Sequence, residues 1–136
     1  MSMLTAHIAI NASIEEVWKC WTTPTDIIHW NTPSADWETT GAEVDLQNGG
    51  RFLYKMIASD GSVAFNFGGV YNKVVVNEYI ECTLSDNRKV INKFAIVDNK
   101  VVMTEDFDPE SQTPVDEQKA FTQSVLDKFK RYVEGE

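Results

Sequence analysis

Residues 114 to 134 read PVDEQKAFTQSVLDKFKRYVE, and this stretch decides the fold. Phe121, Val125, Phe129, Tyr132 and Val133, with Leu126 beside them, recur at helical spacing. Asp116, Glu117, Lys119, Asp127, Lys128, Lys130 and Arg131 fill the other positions, so one side of the predicted helix is apolar and the other wet. Burying five or six such side chains contributes on the order of 10 kcal/mol at roughly 1.5–3 kcal/mol each, so the helix needs a partner surface. The upstream chain reads as that surface.

Working back toward the N-terminus, Val101 to Phe107, Arg88 to Val97 and Tyr79 to Leu84 read as strands joined by turns at Asp98-Asn99 and Asp86-Asn87. Connections this short make neighbours antiparallel. Ser62 to Val76 places Val63, Phe65, Phe67 and Tyr71 on one face, with Gly68-Gly69 predicting a bulge that curves the sheet. Asp60-Gly61 predicts a two-residue hairpin turn back to Arg51–Ser59, whose alternation puts Phe52, Tyr54 and Met56 on one face. Gly49-Gly50 permits a tight turn. Between Asn31 and Gly50 the pattern is weak, with at most a short strand before Thr40 and another at Val44–Leu46.

At the N-terminus, Leu4 to Ile10 alternates as a strand with Leu4, Ala6, Ile8 and Ile10 on one face and His7 on the other. Ser13 and Glu16 form a capping box before the stripe Ile14, Val17, Trp18 and Trp21, and this helix stops before Pro24. A second short helix is predicted from Thr25 to Trp30. The fold class is therefore α+β: one strand, two short helices, about six further antiparallel strands, and a long terminal helix gripped by a curved sheet.

The 136 residues suit a single domain with its own core. No apolar run approaches the roughly 18 residues of a membrane span, and Met1 to Leu4 do not begin like a signal peptide, so a cytoplasmic location without membrane insertion is expected. A net charge of −9 with no basic cluster argues against nucleic acid as a partner. Cys20 and Cys82 read as reduced core residues, a reactive thiol being the other reading.

The chain resembles the START-like superfamily, also called SRPBCC, whose helix-grip fold is shared with the birch-pollen allergen. More narrowly it is similar to the branch grouped with activators of the heat-shock-chaperone ATPase. The similarity rests on Ser13 to Trp18 with Trp21 and Pro24, then Trp30, Gly49 to Phe52, Asp60-Gly61 and Phe67 to Gly69. It continues through Thr104-Glu105, Phe107 and the tail from Gln118 to Glu134. Ala120-Phe121 departs from the glycine and tryptophan that relatives often carry there. The eukaryotic activators add a separate chaperone-binding domain, for which a chain this short leaves no room. The resemblance implies a cavity between sheet and terminal helix, used across the superfamily for lipids, sterols, phenolics and polyketides, and in some members for chemistry.

With the apolar face of each strand turned inward, Phe52, Tyr54, Met56, Phe65, Phe67, Leu84, Phe94 and Phe107 would line that cavity beside Trp30, under a roof of Phe121, Val125 and Phe129. Such a set either packs solid or leaves a slot for a flat apolar molecule. Asn92 and Glu105 share the phase of inward neighbours and could orient a polar group, though a slip of one residue would turn both outward. A desolvated Glu105 would have a raised pKa, and His29 could act as a base at the cavity mouth.

No cofactor is expected, and no metal: His7 and His29 stand in different elements, and Glu105, Asp106, Asp108 and Glu110 lack the spacing of a calcium loop. No phosphate-binding loop, dinucleotide fingerprint or nucleophile elbow is present. Three functions remain open. The first is binding of a small apolar or aromatic molecule without transforming it. The second is a cyclase-like or dehydratase-like enzyme using Glu105 or His29, with Tyr54 or Asn92 holding a carbonyl oxygen. The third is a chaperone-associated or stress-response module whose partner is a protein.

Overall fold

The computed structural model describes residues 2–32 and 35–135. Strand β1 (Leu4–Ile10) leads into helices α1 (Ile14–Thr22) and α2 (Pro24–Trp30), and strands β2 (Trp37–Val44), β3 (Arg51–Ala58), β4 (Ala64–Val75), β5 (Tyr79–Leu84), β6 (Lys89–Val97) and β7 (Lys100–Phe107) follow before α3 (Val115–Glu134). All neighbours are antiparallel in one seven-stranded sheet of order β1-β7-β6-β5-β4-β3-β2. The chain forms the expected helix-grip architecture. Among the described residues no helix is long and apolar enough to cross a membrane.

Ser13 starts α1 as read from the sequence: its Oγ accepts the Glu16 amide at 3.2 Å. The reciprocal half of the box is used otherwise, for the Glu16 carboxylate accepts from Cys20 Sγ at 3.5 Å. Ser13→Ala is expected to cost about 1 kcal/mol in urea unfolding, the usual value of a helix cap. Thr23 closes α1 and opens α2, and Pro24 sits where a missing amide hydrogen costs nothing.

The outer edge of β1 is covered by α3. Gln123 Nε2 donates to His7 O at 2.9 Å, Lys130 Nζ donates to Ala9 O at 2.7 Å, and Glu134 accepts from Asn11 N at 2.7 Å. Side chains from one helix thus replace the strand partner that an edge lacks. Near its start α3 is anchored by buried Gln118, which bonds both the amide and the carbonyl of Glu110 and the carbonyl of Thr113. Gly135, at φ 79°, ends it in the left-handed conformation.

Three sequence expectations are corrected. The turn at Asp60-Gly61 is not a two-residue loop, because β3 ends at Ala58 and β4 begins at Ala64, with Gly61 accepting the one positive φ, 77°, and Asp60 Oδ1 taking the Ser62 amide. The register shift in β4 falls between Tyr71 and Lys73, not at Gly68-Gly69. Those glycines serve close approach instead: a Cβ on Gly68 would stand 2.5 Å from Phe52 O, and one on Gly69 2.3 Å from Thr83 O. The segment read as nearly featureless holds the full strand β2, whose pattern is hidden by a shift between Thr39 and Gly41.

The helix stripe is also less uniformly buried than its spacing suggests. Leu126 and Phe129 are fully buried, whereas Phe121 is 53% exposed. Helix α3 leans on β1 and on the α1–α2 pair and leaves the concave faces of β3, β4 and β5 less covered.

Candidate functional site

The uncovered part of the concave face is aromatic by construction. Register places Phe52 opposite Gly69 and Tyr54 opposite Phe67, and Tyr71 follows two residues beyond Gly69 on the same face. Ring centroids lie 5.1 Å apart for Phe52–Tyr71, 5.6 Å for Phe52–Tyr54 and 5.9 Å for Tyr54–Phe67. Trp21 and Trp30 close the end under α1 and α2, stacked at 4.4 Å, with the Trp30 indole donating to Cys20 O at 2.8 Å. A cavity of about 150 Å³ remains, roofed by Phe121, Thr122 and Val125 of α3.

Its polar pole comes from the paired strands β6 and β7. Asn92 and Glu105 are register partners, and Asn92 Nδ2 donates to Glu105 Oε1 at 2.8 Å. Asn92 is buried; Glu105 is half-buried and keeps its contact with the cavity. Burial pushes the Glu105 carboxyl above its ordinary value of 4.5, the Asn92 bond partly offsets this, and the adjoining Asp106 charge adds to it. Burial also drives the Tyr54 hydroxyl well above 10 and raises the Cys82 thiol to about 12, with the Glu105 charge contributing to both. Cys82 therefore lines the wall as a neutral thiol, and burial likewise lifts Cys20 to about 12, so neither is poised as a thiolate nucleophile.

Beside Glu105 a second space of about 450 Å³, a vestibule at the start of α3, adjoins the cavity. Phe67, Leu84, Val90, Glu105, Phe121 and Thr122 border both spaces and form the neck between them. The vestibule adds Arg88, Asp108, Glu110 and Glu117. Arg88 Nε is held by Asp86 at 2.7 Å, Asp108 accepts the Lys89 amide, and Glu110 accepts those of Gln112 and Thr113.

Of the positions singled out in the sequence, Trp30, Phe52, Tyr54, Phe67, Leu84, Asn92, Glu105, Phe121 and Val125 line this cavity. The others do not. Met56 is buried near α2, where its sulfur takes the Thr39 hydroxyl at 3.1 Å. Phe65 borders neither space and stands 46% exposed, edge-on to Trp37. Phe94 packs edge-on against Trp18, and Phe107 borders only the vestibule. Phe129 is core, wedged 5.0 Å from both Trp21 and Trp30. His29 is exposed on the outer side of α2, stacked 5.9 Å from Tyr132, so it is no base at the mouth.

Sequence reading missed Trp21, Asn31, Tyr71, Ile80, Cys82, Val90 and Thr122 as lining residues. Tyr71, Ile80, Cys82 and Val90 carry the inward phase of their strands and were findable by alternation. Trp21, Asn31 and Thr122 reach the cavity only because of how the helices dock. Among the described residues no three His, Cys, Asp or Glu side chains gather to hold a metal ion.

The AHSA1-like protein from Aeromonas hydrophila is 40% identical, with 97% of this chain and 93% of that one aligned at a TM-score of 0.89. Chr148 from Cytophaga hutchinsonii is also 40% identical, over 98% of this chain and 92% of that one, at a TM-score of 0.86. CV1439 from Chromobacterium violaceum shares the fold at 19% identity, over 98% of this chain and 99% of that one, at a TM-score of 0.85. No curated protein matches the chain. The family model for Activator of Hsp90 ATPase homolog 1-like protein matches residues 11–134, and the chain belongs to that family.

Proposed function

We propose that this protein binds one small ring-sized molecule carrying a single hydrogen-bonding substituent, with the ring against Phe52, Tyr54, Phe67 and Tyr71 and the substituent at Glu105. The observation that carries the reading is the Asn92–Glu105 couple beside an aromatic cavity. A core built only for stability would not keep a desolvated carboxyl next to empty space. The size is right for one ring, since an apolar cavity of about 150 Å³ takes up benzene in another protein.

The carboxyl is also costly in a way that can be measured. Because its folded pKa is raised, the folded state holds this proton where the unfolded chain has released it. Stability therefore falls as pH rises through the window above 4.5. Glu105→Gln lacks that loss, so the variant is expected to gain stability relative to the parent as pH climbs from 4 to 7, read by urea unfolding at each pH. A structural carboxylate with a depressed pKa would give the opposite trend.

Benzyl alcohol is the direct probe. Amide chemical shifts on titration are expected to move at Phe67, Cys82, Asn92, Glu105 and Phe121. Val90→Phe, which fills the neck, is expected to abolish those shifts without loss of thermal stability. Shifts scattered over the surface, or none, would end the binding reading.

A further inference from the structure

The charge of the ligand follows from what surrounds the neck. Among the described residues the cavity lining contains no lysine, arginine or histidine, and its one carboxyl is Glu105. Three more carboxylates, Asp108, Glu110 and Glu117, border the vestibule against a single guanidinium, and that one is engaged by Asp86 at 2.7 Å. An anionic ligand would enter past like charges and meet no buried counter-charge. A cation would pass along attractive ones, consistent with the formal charge of −9 on the whole chain.

The walls select the same sign. Phe67 and Phe121 border the neck beside Glu105, where the quadrupole of an aromatic ring attracts a cation within about 6 Å of its centroid. Asn92 occupies only one oxygen of Glu105. Resting on the binding function proposed above, we infer that the ligand is an organic cation, an aryl or arylalkyl amine. Its ring fills the aromatic cavity and its ammonium lies at the neck against Glu105.

Such a ligand supplies the counter-charge that burial denies Glu105, and the pair then behaves as a desolvated ion pair held by Asn92. Binding therefore draws Glu105 toward its ionised form, and affinity rises with pH through the range in which the free carboxyl titrates. The groups facing that carboxyl are Asn92 of β6, Tyr54 of β3, Cys82 of β5 and the adjoining Asp106, with Arg88, Asp108, Glu110 and Glu117 at the vestibule. Tyr54 and Cys82 stay neutral below pH 9, so a change in affinity between pH 4.5 and 7 belongs to the carboxylates.

The test compares three probes of one ring size on the full chain: benzylamine, benzyl alcohol and phenylacetate, titrated by calorimetry at pH 7. Benzylamine is expected to bind about tenfold more tightly than benzyl alcohol, and phenylacetate more weakly than either. About 0.5 M salt should erode the amine's advantage and leave the alcohol unaffected. Glu105→Gln should bring amine and alcohol together. Glu117→Lys, at an exposed position where folding is not at stake, should weaken the amine alone. If the alcohol binds and the amine is no better, or phenylacetate is best, the cationic assignment is overturned while the cavity's binding function stands. If no probe binds, both fall.

Discussion

Phe129→Ala is expected to lower the unfolding free energy by about 3–5 kcal/mol and the melting temperature by roughly 10 °C or more. Phe129 joins all three helices. Phe129 is fully buried on α3 and meets Trp21 of α1 and Trp30 of α2 edge-on, each at 5.0 Å, while those two indoles stack at 4.4 Å. Removing the ring forfeits its transfer free energy and both edge contacts, and it leaves a void beside two stacked indoles that cannot readily collapse into it. Urea titration of parent and variant checks this through the midpoint at constant slope. A loss below about 1 kcal/mol would mean that the tryptophan pair carries the junction without Phe129.

Gly69→Val should be nearly as severe, at about 3 kcal/mol or more, although it removes nothing. A Cβ at Gly69 would stand 2.3 Å from Thr83 O and 3.0 Å from Leu84 Cα, both backbone atoms of β5 that cannot rotate aside. Strands β4 and β5 would have to separate, and with them the floor that carries Tyr71 and Cys82. Gly61→Ala is the informative control. Its φ of 77° strains an alanine, yet nothing lies within 4 Å of the added carbon, so the expected cost is only about 1–2 kcal/mol. A loss at Gly69 no larger than that at Gly61 would show that β4 and β5 accommodate the added carbon without separating.

These two sites also mark where sequence reading works and where it stops. Gly68-Gly69 is visible as a special feature of β4, but a bulge and a close approach look alike in one dimension. The register shift falls at Tyr71/Lys73 instead, just beyond the glycines. Strand β2 was nearly invisible for a related reason: its shift between Thr39 and Gly41 breaks the alternation on which strand recognition depends. By contrast, β1, β5 and α3 were readable almost to the residue, since each keeps its period without interruption.

The candidate site divides along the same line. Alternation alone puts Asn92 and Glu105 on the concave face, because both stand two residues from inward apolar neighbours. That their side chains meet at 2.8 Å depends on the pairing of β6 with β7, which a turn at Asp98-Asn99 with both φ positive sets. His29 shows the converse. Its place beside Trp30 in the chain suggested the mouth, yet adjacent helical residues point about 100° apart, and only one of them can face inward.

Periodicity and turn chemistry are local properties, and they were enough to establish an α+β chain with a helix gripped by a curved sheet. Whether that grip closes is not a local property. It depends on α3 leaning toward β1, where Gln123, Lys130 and Glu134 bond the strand edge, and away from β3 to β5. Backbone groups at a free edge must find partners, and meeting that demand draws the helix off the aromatic face. The cavity is the space this leaves. Its inner walls can be listed from the strands, but its volume, its neck at Glu105 and its acidic vestibule exist only through the docking of the helix.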